Sequence, residues 1–121
     1  MIKRLGYIFT LLLLSCGGDS AEQLPSTILE REALIPVIVD LQILESHYQR
    51  QFARVDLYRD ALDSSSQTIF TAHGISKDQF SNSLNYYATQ PDTLFIIYEA
   101  ALDSIKFRMN ANSVSEDSEI Q

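Results

Sequence analysis

The chain reads as all-α: a small bundle of about four helices behind a lipoprotein signal peptide, with an acidic, disordered C-terminal tail. Three observations predict this. Apolar residues recur at three- and four-residue steps through most of the sequence. No stretch alternates with period two for long enough to require a strand. Residues that start or stop helices (His73-Gly74, Ser76 with Gln79, and Pro91) fall between the apolar periods.

The N-terminus is read as an address rather than as part of the fold. Lys3 and Arg4 precede a mostly apolar run that ends in Leu11-Leu12-Leu13-Leu14. The run is too short to cross a bilayer as a helix and suits a secretory signal. Leu13-Leu14-Ser15-Cys16 resembles a bacterial lipobox, with cleavage before Cys16 and acylation of that cysteine. Cys16 is the only cysteine in the chain, so no internal disulfide is possible. More than one acyl chain gives stable attachment, each buried CH₂ contributing about 0.8 kcal/mol. The expected division is 1–15 signal peptide, 16–25 lipidated tether, 26–109 helical domain and 110–121 disordered tail.

The first helix is expected over residues 31–52. Leu34, Val37, Ile38, Leu41, Leu44, Tyr48 and Phe52 line one face, and Ile35, Val39 and Ile43 widen it, which predicts a central helix. Pro36 conflicts with a helix interior, so either the regular helix begins near Leu34 or its first turn is kinked. The second helix is expected over 56–72, with Tyr58, Leu62, Ile69 and Ala72 inward. It is weakened by Ser64-Ser65-Ser66 and ended by His73 and a left-handed Gly74. Ser76-Lys77-Asp78-Gln79 is a capping-box pattern that opens a third helix, on which Phe80, Leu84 and Tyr87 align. Pro91 suits a first-turn position and opens a fourth, expected over 92–109, with Leu94, Ile97, Tyr98, Ala101, Leu102 and Ile105 on one side. The runs Pro36-Val37-Ile38-Val39 and Leu94-Phe95-Ile96-Ile97 are rich in β-branched residues and are where a strand would compete.

Charge and composition exclude several functions. The 121 residues carry 16 acidic and 9 basic side chains. Removing residues 1–15 takes Lys3 and Arg4 but no acid, leaving 106 residues with a net charge of −9. An acidic chain of this kind lacks the basic footprint of a nucleic-acid binder. It is also repelled by anionic head groups and is expected to hang from its lipid rather than lie on the membrane. There is no HExxH, phosphate-binding glycine loop or EF-hand spacing. With Cys16 acylated no thiol is left, and neither a catalytic site nor a metal site is expected.

Several pieces together resemble a known family: Leu34-Ile35, Asp40-Leu41 and Glu45; Ile69-Phe70 with His73-Gly74-Ile75; then Phe80, Ser83-Leu84, Tyr86-Tyr87, Pro91 and Ile97-Tyr98. In this order behind a lipobox they resemble the small lipoproteins of Bacteroidota of domain-of-unknown-function family 4296 (DUF4296), over about residues 24–108. Pro36 and Gln42 depart from the pattern. A histidine is frequent in the family at the position of Gln42, so no metal site is carried over. The resemblance implies fold and location, not a mechanism.

Candidate residues follow from their surroundings. Asp40 has Pro36, Val37, Ile43 and Leu44 as its helical neighbours, all apolar. It is therefore expected to be mostly buried, bonded to a tyrosine hydroxyl or a backbone amide of the third or fourth helix, and either fixing register or serving a binding site. Glu45 has a weaker case of the same kind. Tyr86 and Tyr87 differ by about 100° around a helix, so one should be core and the other partly exposed. Tyr86, Tyr87 and Tyr98 are the candidate hydroxyl donors or interface anchors. His73 is expected to complement the end of the second helix, and His47 to be solvated or packed.

The function expected is that of a non-enzymatic accessory or scaffold subunit that binds another cell-envelope protein. Its anchor is expected in the outer membrane facing the periplasm: Gly17 lacks the aspartate of an inner-membrane retention signal, and no dense acidic run follows. The alternatives are a periplasmic carrier or chaperone for an apolar ligand or unfolded client, and a structural spacer. No cofactor is expected beyond the covalent lipid on Cys16.

Overall fold

The structure, a computed structural model, describes residues 23–118. The signal peptide, Cys16 and the first part of the tether lie outside the described residues, as do the last three residues of the expected tail. The described residues form four helices, with no strand among them: α1 (Arg31–Gln51), α2 (Arg59–Ala72), α3 (Lys77–Ala88) and α4 (Pro91–Ser118). A single 3₁₀ turn, Val55–Leu57, precedes α2. Among the described residues no helix is long and apolar enough to cross a membrane.

The all-α expectation holds, including through the two β-branched runs. In both, the apolar side chains have a helical face to enter. Leu34, Val37, Ile38 and Val39 are buried on α1, as are Ile97 and Ala101 on α4. α1 is central, as expected, packing on α4 along one side and on α2 along another. The main core joins Leu34, Ile38 and Val39 to Leu29, Tyr87, Ile97 and Ala101.

Pro36 lies inside α1, which begins at Arg31 and not near Leu34. The missing N–H would have met the carbonyl of Glu32. Glu32 is exposed, so solvent can take that acceptor and the proline is tolerated in the second turn. α2 ends as read. Gly74 has φ 67°, and its N–H donates to the Thr71 carbonyl while that of Ile75 donates to Phe70, both at 3.0 Å. This is the two-bond Schellman closure that a left-handed glycine permits. At α3, Ser76 Oγ accepts from the Gln79 N–H at 3.0 Å.

Three expectations need correction. The buried face of α2 is Ser66 and Phe70, with Leu62, Ser65 and Ile69 half-buried; Ala72 is exposed. Tyr98 and Leu102 are exposed rather than core, because α1 and α3 cover only the neighbouring stripe of α4. Residues 110–118, expected as a structureless tail, continue α4 as helix. No glycine or proline follows Pro91, so nothing halts the helix. In these last turns Ser113 Oγ donates to the Asn110 carbonyl at 2.8 Å, and Ser115 Oγ to that of Asn112 at 2.7 Å.

Ahead of α1, the connecting segment is bound to α3 at one point. The Leu29 N–H donates to Ser83 Oγ at 2.9 Å, and Tyr87 Oη donates to the Leu29 carbonyl at 2.8 Å. Ser83 is fully buried and donates in turn to the Gln79 carbonyl at 2.7 Å. Both backbone groups of a buried residue are thereby satisfied without secondary structure.

Candidate interaction surface

Asp40 ties three helices together. Its Oδ2 lies 2.7 Å from His73 Nε2 at the end of α2, and its Oδ1 accepts from Arg108 Nη1 of α4 at 2.7 Å. The expected partners were wrong: no tyrosine hydroxyl or backbone amide is involved. The carboxylate also sits at the rim of the helix interface, with its side chain 31% exposed, rather than inside. Arginine and histidine side chains reach such a rim from neighbouring helices, which is why the apolar neighbours of Asp40 in α1 do not reveal them. Burial alone would raise the pKa of this carboxyl. The hydrogen bonds from Arg108 and His73, with their charges, outweigh burial and hold it below its ordinary value. With one partner on each oxygen, Asp40 clamps α1 to the end of α2 and to α4.

The other candidates separate. Tyr87 is core and Tyr86 half-buried, their rings edge to face at 5.2 Å, as the one-in, one-out reading required. Burial pushes the Tyr87 hydroxyl above its ordinary pKa, and Tyr86 adds to the effect. Tyr98 stands on the exposed side of α4, away from this pair. Glu45 accepts from Gln49 Nε2 at 3.3 Å, on the edge of an open cleft of about 340 Å³ whose apolar lining is Leu41, Leu62, Phe70 and Phe80. His47 is exposed and touches the Tyr48 ring edge-on. Among the described residues no group of three or more His, Cys, Asp or Glu could hold a metal.

The corner between α1 and α2, which the sequence reading does not single out, joins an aromatic stack to a bidentate ion pair. Tyr48, Phe52 and Tyr58 stack with ring centroids 5.8–6.2 Å apart. The Tyr48 hydroxyl is held 2.8 Å from Ser65 Oγ on α2. Arg54 donates twice to Asp56, Nε to Oδ1 at 3.0 Å and Nη2 to Oδ2 at 2.7 Å. Beside these contacts the 3₁₀ turn presents Val55, 56% exposed, and Leu57, 60% exposed. Three of the seven basic residues beyond residue 15, Arg50, Arg54 and Arg59, lie within the same ten residues. That local alternation of arginine with large apolar residues was the available signal. The corner is at the far end of α1 from the tether, roughly 30 Å away at 1.5 Å per residue.

The family model for the domain of unknown function DUF4296 matches residues 25–111. No curated protein and no solved structure is significantly similar to the chain. The match takes in α1 to α3 and most of α4, and every residue quoted for the resemblance from Leu34 to Tyr98, so the chain belongs to the DUF4296 family.

Proposed function

We propose that this protein is a lipid-anchored, non-enzymatic accessory subunit of the cell envelope, which uses the α1–α2 corner to dock on another envelope protein. The observation that carries the reading is the exposure of Val55 and Leu57 on a turn flanked by three contacting aromatic rings and a bidentate ion pair. The tyrosines of the ring stack and Arg54 are of the residue types enriched in interface anchors, and the exposed Val55 and Leu57 beside them add apolar area to bury. The anchor is the lipid on Cys16, supported by Leu13-Leu14-Ser15-Cys16. The favoured site is the outer membrane, on its periplasmic face, where a tether at one end of α1 leaves the corner free at the other.

Two experiments test this. Cys16→Ala should abolish acylation and release the protein from the membrane or block its processing; a normally acylated, membrane-bound variant ends the anchor reading. A photo-crosslinking residue at Leu57 should capture one stoichiometric partner in native membranes, and the same residue at exposed Asn85 should not. Equal capture from both positions, or capture that survives Val55→Asp, overturns the docking reading.

The carrier reading rests on a different observation, the apolar cleft lined by Leu41, Leu62, Phe70 and Phe80. It predicts lipid or peptide that co-purifies with the native protein and is lost when Leu62 is replaced by Glu. Protein that is consistently empty by native mass spectrometry removes it.

A further inference from the structure

α4 carries a second apolar stripe beside the one that enters the core. Phe95, Tyr98, Leu102, Ile105 and Met109 follow one another at alternating steps of three and four, the spacing of a coiled-coil seam. Ile105 is half-buried. The other four are exposed, Phe95 at 61% and Met109 at 66%. Ile43 of α1 borders the same groove as Ile105 and Met109 and is exposed as well. The stripe lies on a different helix from the corner.

We propose that this seam is the contact between two copies of the chain, with α4 packed on α4 in antiparallel orientation. The charges beside the seam select the occupant. Leu94, Ala101 and Arg108 border it on the side of the bundle; Leu94 and Ala101 pack in the core, and Arg108 is bonded to Asp40. Glu99 and Lys106 border it on the free side, and both are exposed. In a parallel pair, each free-side residue meets the bundle side of the other helix. Glu99 would then face Leu94 and Lys106 would face Ala101, neither meeting a charge on the second helix; Lys106 would keep only Asp103 of its own helix, 3.8 Å away. In an antiparallel pair, free side meets free side.

Leu102 then layers with Ile105 of the second copy, and Tyr98 with Met109. Glu99 falls opposite Lys106 of the second copy, and Lys106 opposite its Glu99. One two-fold axis generates both ion pairs and closes the assembly. Carrying both signs, one heptad apart on the same side of one apolar seam, makes the surface complementary to itself. An unrelated partner would not require that.

The test uses the full chain in its own membrane. Two populations are co-expressed, one with Tyr98→Cys and one with Met109→Cys, then oxidised, and the disulfides are mapped by peptide mass spectrometry so that any link through Cys16 is identified. A 98–109 link between chains is expected. Its yield should fall about tenfold with Glu99→Lys or with Lys106→Glu, since each reverses two symmetry-related pairs. It should recover in the Glu99→Lys/Lys106→Glu double variant. Absence of the 98–109 link, links only between identical positions, or a yield indifferent to both charge reversals would each overturn the proposal.

Discussion

Asp40 Oδ2 and His73 Nε2 stand 2.7 Å apart, joining the middle of α1 to the last residue of the α2 cap. The other carboxylate oxygen holds Arg108 of α4, so one side chain sets the spacing of three helices. An ion pair at a partly exposed rim contributes modestly, because solvent screens it. Asp40→Asn, which keeps the shape and removes the charge, should therefore lower stability by about 1 kcal/mol at neutral pH. Urea denaturation of the two proteins checks the value.

The same pair has a pH signature. The folded carboxyl titrates below its ordinary value of 3.8. The stabilisation it brings is complete above that pH and is lost as pH falls through the lower, folded value. The stability gap between the native protein and Asp40→Asn should therefore close below about pH 4. A gap that stays constant from pH 7 to pH 2 would show that charge is not its source.

Tyr87 has the opposite sign. Its hydroxyl is raised above the ordinary 10.0, so the stability it contributes is complete below pH 10 and is lost as pH rises through the folded value. Tyr87→Phe loses the bond to the Leu29 carbonyl and should cost about 1 kcal/mol at neutral pH. It should also be less sensitive to alkali than the native protein. Thermal unfolding between pH 7 and pH 11 measures both effects.

Ser83→Ala should be the more damaging of the two changes at this joint. It leaves the buried N–H of Leu29 with no acceptor, at about 1–3 kcal/mol. Hydrogen exchange should show the Leu29 amide losing protection while α1 and α4 amides keep theirs. An unchanged Leu29 amide would mean that another group takes over the bond.

At Gly74 the cost is confined to the backbone. A Cβ placed there meets nothing within 4 Å, yet φ is +67°. Gly74→Ala should destabilise by about 1–2 kcal/mol with unchanged helix content by circular dichroism, and Gly74→Asn by less. Equal stability of the alanine variant would mean that the α2–α3 joint can adopt another conformation.

Local signals in the sequence were reliable where the chemistry is local. The end of α2 at Gly74, the Ser76 cap and the proline start of α4 are decided within four residues; the first and last appear as read, and of the Ser76–Gln79 capping box the Ser76 half is formed. Partners across helices were not legible. Asp40 stands out in the sequence by its apolar neighbours, but the phase of α1 says nothing about which residues of α2 and α4 come level with it. Tyr98 and Leu102 were misplaced for a related reason. α4 is apolar over an arc wider than one bundle can cover, and periodicity alone does not say which part turns inward. The corner is hidden in the sequence because Phe52 continues the apolar stripe of α1, whereas it closes a ring stack beyond the last helical turn.

The bonds at Leu29 also determine how the domain bears load. Tension on the chain upstream of Leu24 travels along the segment before α1, through the turn closed by the Ile28 N–H and the Pro25 carbonyl, to the hydrogen bonds at Leu29. There the N–H and carbonyl are held by Ser83 and Tyr87, which belong to α3. A pull is therefore divided between α3 and α1 before it can peel α1 from its N-terminal turn. Two hydrogen bonds loaded together in shear yield less readily than two broken in succession. In single-molecule pulling from the N-terminus, the first rupture should be release of residues 23–30, and Tyr87→Phe should lower the force at which it occurs.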